Sequence, residues 1–119
     1  MFSDTYYATA CLFQYANLTC TATNGQINVT SADYVQQPTC SSTCCRTPDP
    51  GDCLNDIATE DSAKWDEILA SCNNQTICSI ELRQTTIRSR DCAVSPYDLD
   101  YMIIRYDCLL GKQQLVFLQ

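Results

Sequence analysis

The chain has 119 residues, ten of them cysteine, with no histidine and a net charge of −7. One domain's length and this cysteine density point to a disulfide scaffold from an oxidising compartment. Fourteen acidic against seven basic residues make a surface that repels phosphate backbones and anionic lipid, which argues against nucleic-acid and membrane-surface binding.

Zinc is the competing use for so many cysteines. Zinc sites usually recruit His and CxxC knuckles. Neither occurs here, where Cys44 and Cys45 are adjacent and the other spacings are wide, so neither a metal nor a cofactor is expected. Three N-x-S/T acceptors, at Asn17, Asn28 and Asn74, mark the chain as a secreted or extracellular glycoprotein. Met1 to Ala10 contains no apolar run of the signal-peptide kind, and no stretch approaches a membrane span. The chain therefore reads as a mature or excised domain without membrane insertion.

In chain order, Leu18 and Cys20 alternate with Asn17 and Thr19, and Ile27 and Val29 with Asn28 and Thr30. Both stretches read as strands with one buried face. Asn24-Gly25 between them is a hairpin signal, and both sequons fall on the polar face. Cys40 to Asp56, punctuated by Pro48, Pro50 and Gly51, reads as a loop. From about Thr59 to Ser71 the period becomes helical. Trp65, Ile68, Leu69 and Cys72 take the core face there, and Asp61, Lys64, Asp66 and Glu67 the wet one. Cys78, Ile80 and Leu82 suggest a further strand, and Thr85 to Leu99 a polar loop. Met102, Ile104, Tyr106 and Cys108 alternate in a closing strand. An apolar tail follows (Leu115 to Leu118), suited to an extra strand or to homo-oligomerisation.

Ten cysteines allow about 945 pairings, nine times the 105 open to eight, so spacing alone leaves connectivity open. Ala10-Cys11, Cys20, Gly25-Gln26-Ile27 and Ser31-Ala32-Asp33-Tyr34 resemble the start of a sea-urchin-egg-lectin type, or rhamnose-binding lectin, domain. The helix running into Cys72, the gap to Cys78, Asp91-Cys92 and the closing segment Tyr101 to Cys108 match it in order and spacing. The resemblance covers residues 10–108, leaving 1–9 as an N-terminal extension and 109–119 as a tail. It implies a small disulfide-rich α/β (α+β) fold, with antiparallel strands packed against two short helices. It also implies the bridges Cys11–Cys40, Cys20–Cys108 and Cys72–Cys78. Cys92 would join one of Cys44, Cys45 and Cys53, and the remaining two would form an extra bridge.

The family grips sugar hydroxyls with a Glu after the first cysteine, an Ala-Asn-Tyr-Gly-Arg motif and an Asp-Pro-Cys…Gly-Thr-Tyr-Lys-Tyr-Leu motif. Here Leu12 replaces the Glu, Val35 the Gly and Asp100 the Lys. Exchanging Lys for Asp turns a donor into an acceptor. The ligand-binding candidates carried over are Asp33, Tyr34, Gln36, Asp91, Asp100 and Tyr101, with Arg88 or Arg90 as a donor. The expected function is an extracellular lectin-like recognition module binding a protein partner, as similar domains do in latrophilin-like adhesion-receptor ectodomains. The alternative is a lectin for galactose-like, rhamnose-like or altered glycans. A secreted inhibitor scaffold has only the cysteine density behind it. An enzyme is not expected, because a Ser or Cys nucleophile would lack its commonest base.

Overall fold

The computed structural model describes residues 5–11, 13–21, 24–36, 53–83 and 101–110. Among the described residues, six strands and two short helices follow one another as β1 (Thr5–Ala10), β2 (Tyr15–Thr19), β3 (Gln26–Gln36), β4 (Cys53–Asp56), α1 (Ile57–Glu60), α2 (Ser62–Cys72), β5 (Ile77–Glu81) and β6 (Tyr101–Leu109). They build a four-stranded sheet in the order β1-β6-β3-β4 and a two-stranded ribbon of β2 and β5. Every pairing is antiparallel. The result is a small α+β domain with its helices against one face of the larger sheet.

The expected closing strand is one of the two interior strands of the larger sheet. β6 lies between β1 and β3, and Tyr101 to Ile104 are buried on both faces before alternation resumes at Arg105. Its inner residues Met102, Ile104, Tyr106 and Cys108 share one core with Ile27, Val29, Ala32 and Tyr34 of β3 and with Ile57, Ile68 and Cys72 of the helices. Ala16, Leu18 and Ile80 of the ribbon, together with Leu82, close the same core. Truncating a residue as enclosed as Ile68 to Ala would cost about 2–5 kcal/mol.

A bulge at Thr30 sets the phase of β3. Val29 pairs with Tyr106 and Ser31 with Arg105, so Thr30 is the extra residue, and its hydroxyl donates to the Arg105 carbonyl at 3.2 Å. Before the bulge the odd positions Ile27 and Val29 face the core; after it the even positions Ala32 and Tyr34 do. One inserted residue thereby rotates the second half of the strand by one face.

Asn24-Gly25 does not close a hairpin. β2 pairs with β5, and β3 with β6 and β4. Asn24 takes the left-handed conformation at φ 54°. Its N–H donates to the Thr21 carbonyl at 3.2 Å, and the Gly25 N–H reaches back to the Cys20 carbonyl at 3.1 Å. That 5→2 and 6→1 pair is the paperclip that usually ends helices, and here it carries the chain from the ribbon into the sheet. The type I′ hairpin turn that Asn-Gly favours needs positive φ at both central positions, and no described Gly has it.

The edge of β3 that a hairpin partner would have covered is satisfied by the turn after α2. Asn73 (φ −62°, ψ 136°) and Asn74 (φ 67°) form a type II turn, closed by the Gln75 N–H on the Cys72 carbonyl at 3.1 Å. Ile27 exchanges backbone bonds with Gln75 and Asn74. The Val29 N–H donates to Asn73 Oδ1 at 2.9 Å. The backbone polar groups at the start of β3 thus find partners without a second strand.

Three further expectations need correction. Residues 5–9, read as an extension, belong to β1, which pairs with β6 along its whole length; Tyr6, Ala8 and Ala10 supply the inward side. Cys53–Asp56, read as loop, is β4, recruited to the edge of β3 from Asp33 to Gln36. The helical stretch is broken at Asp61, which leaves helical geometry (φ −147°, ψ 75°) to cap α2 by accepting from the Lys64 N–H at 3.2 Å.

Lys64 is also misplaced by the helical pattern. Its side chain is buried, because the ammonium caps the Glu81 carbonyl at the end of β5 at 2.6 Å and pairs with Glu67 at 3.3 Å. Trp65 and Leu69 pack against the core half-buried.

Cys20–Cys108 ties the end of β2 to β6 across 88 residues, and Cys72–Cys78 spans the turn between α2 and β5. These are the two bridges implied by the lectin resemblance whose four cysteines all lie among the described residues. Cys11 and Cys53 are disulfide-bonded as well. Cys40, Cys44, Cys45 and Cys92 lie outside the described residues, as do the 85–99 loop and the 111–119 tail.

Candidate functional site

The six ligand-binding candidates do not form one cluster among the described residues. Asp33 and Tyr34 are adjacent in a strand, so their side chains leave on opposite faces of the sheet. Tyr34 points into the core at 2% exposure. Its hydroxyl donates to Asp61 Oδ2 at 2.9 Å, while Asp61 Oδ1 holds the first turn of α2. Burial, then the hydrogen bond to Asp61, then the charges of Asp61 and Glu67 push the phenol well above its ordinary range. The Tyr34 carbonyl accepts from Asn55 Nδ2 at 3.2 Å. Tyr34 therefore joins sheet, helix cap and edge strand.

Asp33 faces outward. Its Oδ2 accepts from Arg105 Nη1 at 2.9 Å, with side chains 13% and 33% exposed respectively. Arg105 was not among the candidates. The alternation of the closing strand carries the signal for it: once Met102, Ile104 and Tyr106 are assigned to the core, Ile103, Arg105 and Asp107 take the opposite face. Tyr7 stands directly opposite Arg105 on β1 and is 58% exposed. Asp56 stands directly opposite Asp33 on β4, its Oδ2 accepting from the Thr59 hydroxyl at 2.8 Å. Two carboxylates facing each other across a ladder repel, and the guanidinium offsets that repulsion.

Tyr101 lies on this outer face but is closed off, buried with Val35 and Ile103 in a second small cluster. Gln36 ends β3 opposite Cys53. Asp91 and Asp100, with Arg88 and Arg90, fall outside the described residues. What the fold assembles is an outward row of Tyr7, Arg105, Asp33 and Asp56 beside a buried apolar floor. A guanidinium has five N–H donors, so its pairing with Asp33 leaves capacity for a ligand acceptor. An exposed phenol beside it adds an apolar face with a polar tip.

The sequons differ in setting. Asn17 is exposed in the middle of β2, Asn74 is exposed in the turn after α2, and Asn28 is half-buried beside Asp107. Among the described residues, no group of three or more acidic, His or Cys side chains is placed to hold a metal ion. No described helix is long and apolar enough to cross a membrane. No protein-family model matches the chain, and no curated protein sequence matches it.

Proposed function

We propose that the chain is an extracellular, lectin-like recognition module that binds a protein partner through the outer face of its four-stranded sheet. The observation that carries this reading is the inward commitment of Tyr34. Tyr34, kept from the first sugar-gripping motif, commits its hydroxyl to Asp61, and Leu12, Val35 and Asp100 replace three other residues of the sugar-gripping set. The outward face instead offers an aromatic ring and a paired guanidinium, residue types enriched where proteins bind proteins. The disulfide-bonded core supports an oxidising destination.

A second reading rests on the same row. A carboxylate, a guanidinium and an exposed aromatic ring are also what a sugar needs, so a lectin of altered specificity would use Asp33, Arg105 and Tyr7. A glycan array and a library of cell-surface ectodomains, each probed with the recombinant domain and with Arg105→Gln, separate the two. A blank array with an ectodomain signal lost in Arg105→Gln supports the protein-binding module. A glycan signal lost in the same variant supports the lectin. Binding of either kind that ignores Arg105 and Tyr7 overturns the assignment of this face.

A further inference from the structure

The exposed face of the β2–β5 ribbon is the least explained surface of the fold. Tyr15, Asn17 and Thr19 project from it at alternate positions of β2, opposite Glu81, Ser79 and Ile77 of β5. Tyr15 is 56% and Ile77 63% exposed. Asn17 stands between these apolar side chains. It is the acceptor of the sequon Asn17-Leu18-Thr19, and two residues along a strand separate it from Tyr15 by about 7 Å. Its Oδ1 accepts from the Ser79 hydroxyl at 2.7 Å, an arrangement that turns Nδ2 away from β5.

From this geometry we infer that Asn17 carries an N-linked glycan whose innermost N-acetylglucosamine lies across the Tyr15 ring and shields that face of the ribbon. The inference rests on the extracellular reading above, since the modification belongs to the secretory route. The co-reactant is a polyprenyl-diphosphate-linked oligosaccharide. Asn17 Nδ2 forms a bond to C1 of the reducing-end sugar as the C1–O bond to the diphosphate breaks. The lipid diphosphate leaves with that electron pair, and the nitrogen gives up one proton to a base of the transferase.

The contact follows from simple chemistry. The axial C–H groups of a pyranose ring carry partial positive charge, and the face of a phenol ring is the negative pole of its quadrupole. A sugar anchored two residues from the ring, on the same face of a strand, needs no change in the protein to reach it. Asn74 has no aromatic residue at the position two before it, where Cys72 stands, and Cys72 is buried and bridged to Cys78. Asn28 has Gln26 at that position and is itself half-buried. Asn17 is the one sequon with a ring beside it in register.

The full chain, expressed behind a secretion leader in mammalian cells, tests this by peptide mass spectrometry at each sequon and by melting curves. Occupied Asn17 is expected, with a melting temperature about 3 °C or more above that of Asn17→Gln. The difference should survive trimming of the glycan to its first sugar and vanish in a Tyr15→Ser background. Secreted, fully oxidised protein with Asn17 unoccupied would overturn the inference while leaving the extracellular reading intact. So would a melting difference that Tyr15→Ser leaves unchanged. Retention of the chain in the cell with reduced cysteines would overturn the extracellular reading, and this inference with it.

Discussion

The hydroxyl of Tyr34 reaches across from the sheet to Asp61 at 2.9 Å, and the same carboxylate caps α2 through the Lys64 N–H. A residue that the lectin resemblance places in a binding site is thus a fastener between the two layers of the domain. Tyr34→Phe keeps the ring and removes the bond, leaving Asp61 with the cap alone. It should cost about 1–3 kcal/mol in chemical denaturation. Asp61→Ala should cost more, and the double variant less than the sum, because both single changes remove one shared contact.

The raised Tyr34 phenol gives that contact a pH dependence of definite sign. An acid whose pKa rises on folding binds its proton more tightly in the native state. Its contribution is complete below the ordinary tyrosine value of 10.0 and declines as pH climbs above it, where the unfolded chain ionises first. Denaturation midpoints measured from pH 8 to 11 should fall more steeply for the parent protein than for Tyr34→Phe. Equal slopes would show that the hydroxyl is not held as described.

Asp33 and Arg105 should behave differently. Their pair is partly exposed and joins no second layer, so Asp33→Asn or Arg105→Gln should cost under about 1 kcal/mol. A melting temperature close to the parent's, together with loss of ligand signal, would mark the outer row as functional surface. A collapse in stability comparable to that of Tyr34→Phe would mark it as structure.

Removing the Cys20–Cys108 bridge should be the most damaging of these changes. It closes a loop of 88 residues, which in the chain-entropy model is worth on the order of 4–5 kcal/mol. Cys108→Ser should leave a chain without a cooperative melting transition at 37 °C. Normal folding of that variant would contradict the bridge's role as the main staple between ribbon and sheet.

Asn24 tests the paperclip. Its φ of 54° suits Gly and Asn, and a β-branched side chain there meets the full left-handed penalty. Asn24→Gly should change stability by a few tenths of a kcal/mol, whereas Asn24→Val should cost about 1–2 kcal/mol. Urea midpoints of the two variants give the comparison directly.

Alternation along Leu18, Ile27, Val29, Ile80 and Met102 to Cys108 was legible because periodicity is local: a strand shows which side is buried whatever covers it. The helix was legible for the same reason, apart from its break at Asp61 and apart from Lys64, whose charge conceals that its ammonium has a carbonyl to cap. Arg105 could have been read from the phase of its own strand. Tyr34 could not, because the bulge at Thr30 reverses the phase of β3, and Asp61, its partner, lies 27 residues away.

The sequence by itself therefore determined the disulfide-rich class of the chain and the buried side of its principal strands. Those properties follow from composition and from the two-residue period of an extended backbone. Tertiary structure alone decided that β2 joins β5 rather than β3, that residues 5–10 and 53–56 complete the larger sheet, and that Tyr34 turns inward while Asp33 meets Arg105. Backbone ladders bond any strand to any other. The choice among partners comes from which arrangement closes one shared core and satisfies every edge, and no single segment carries that information.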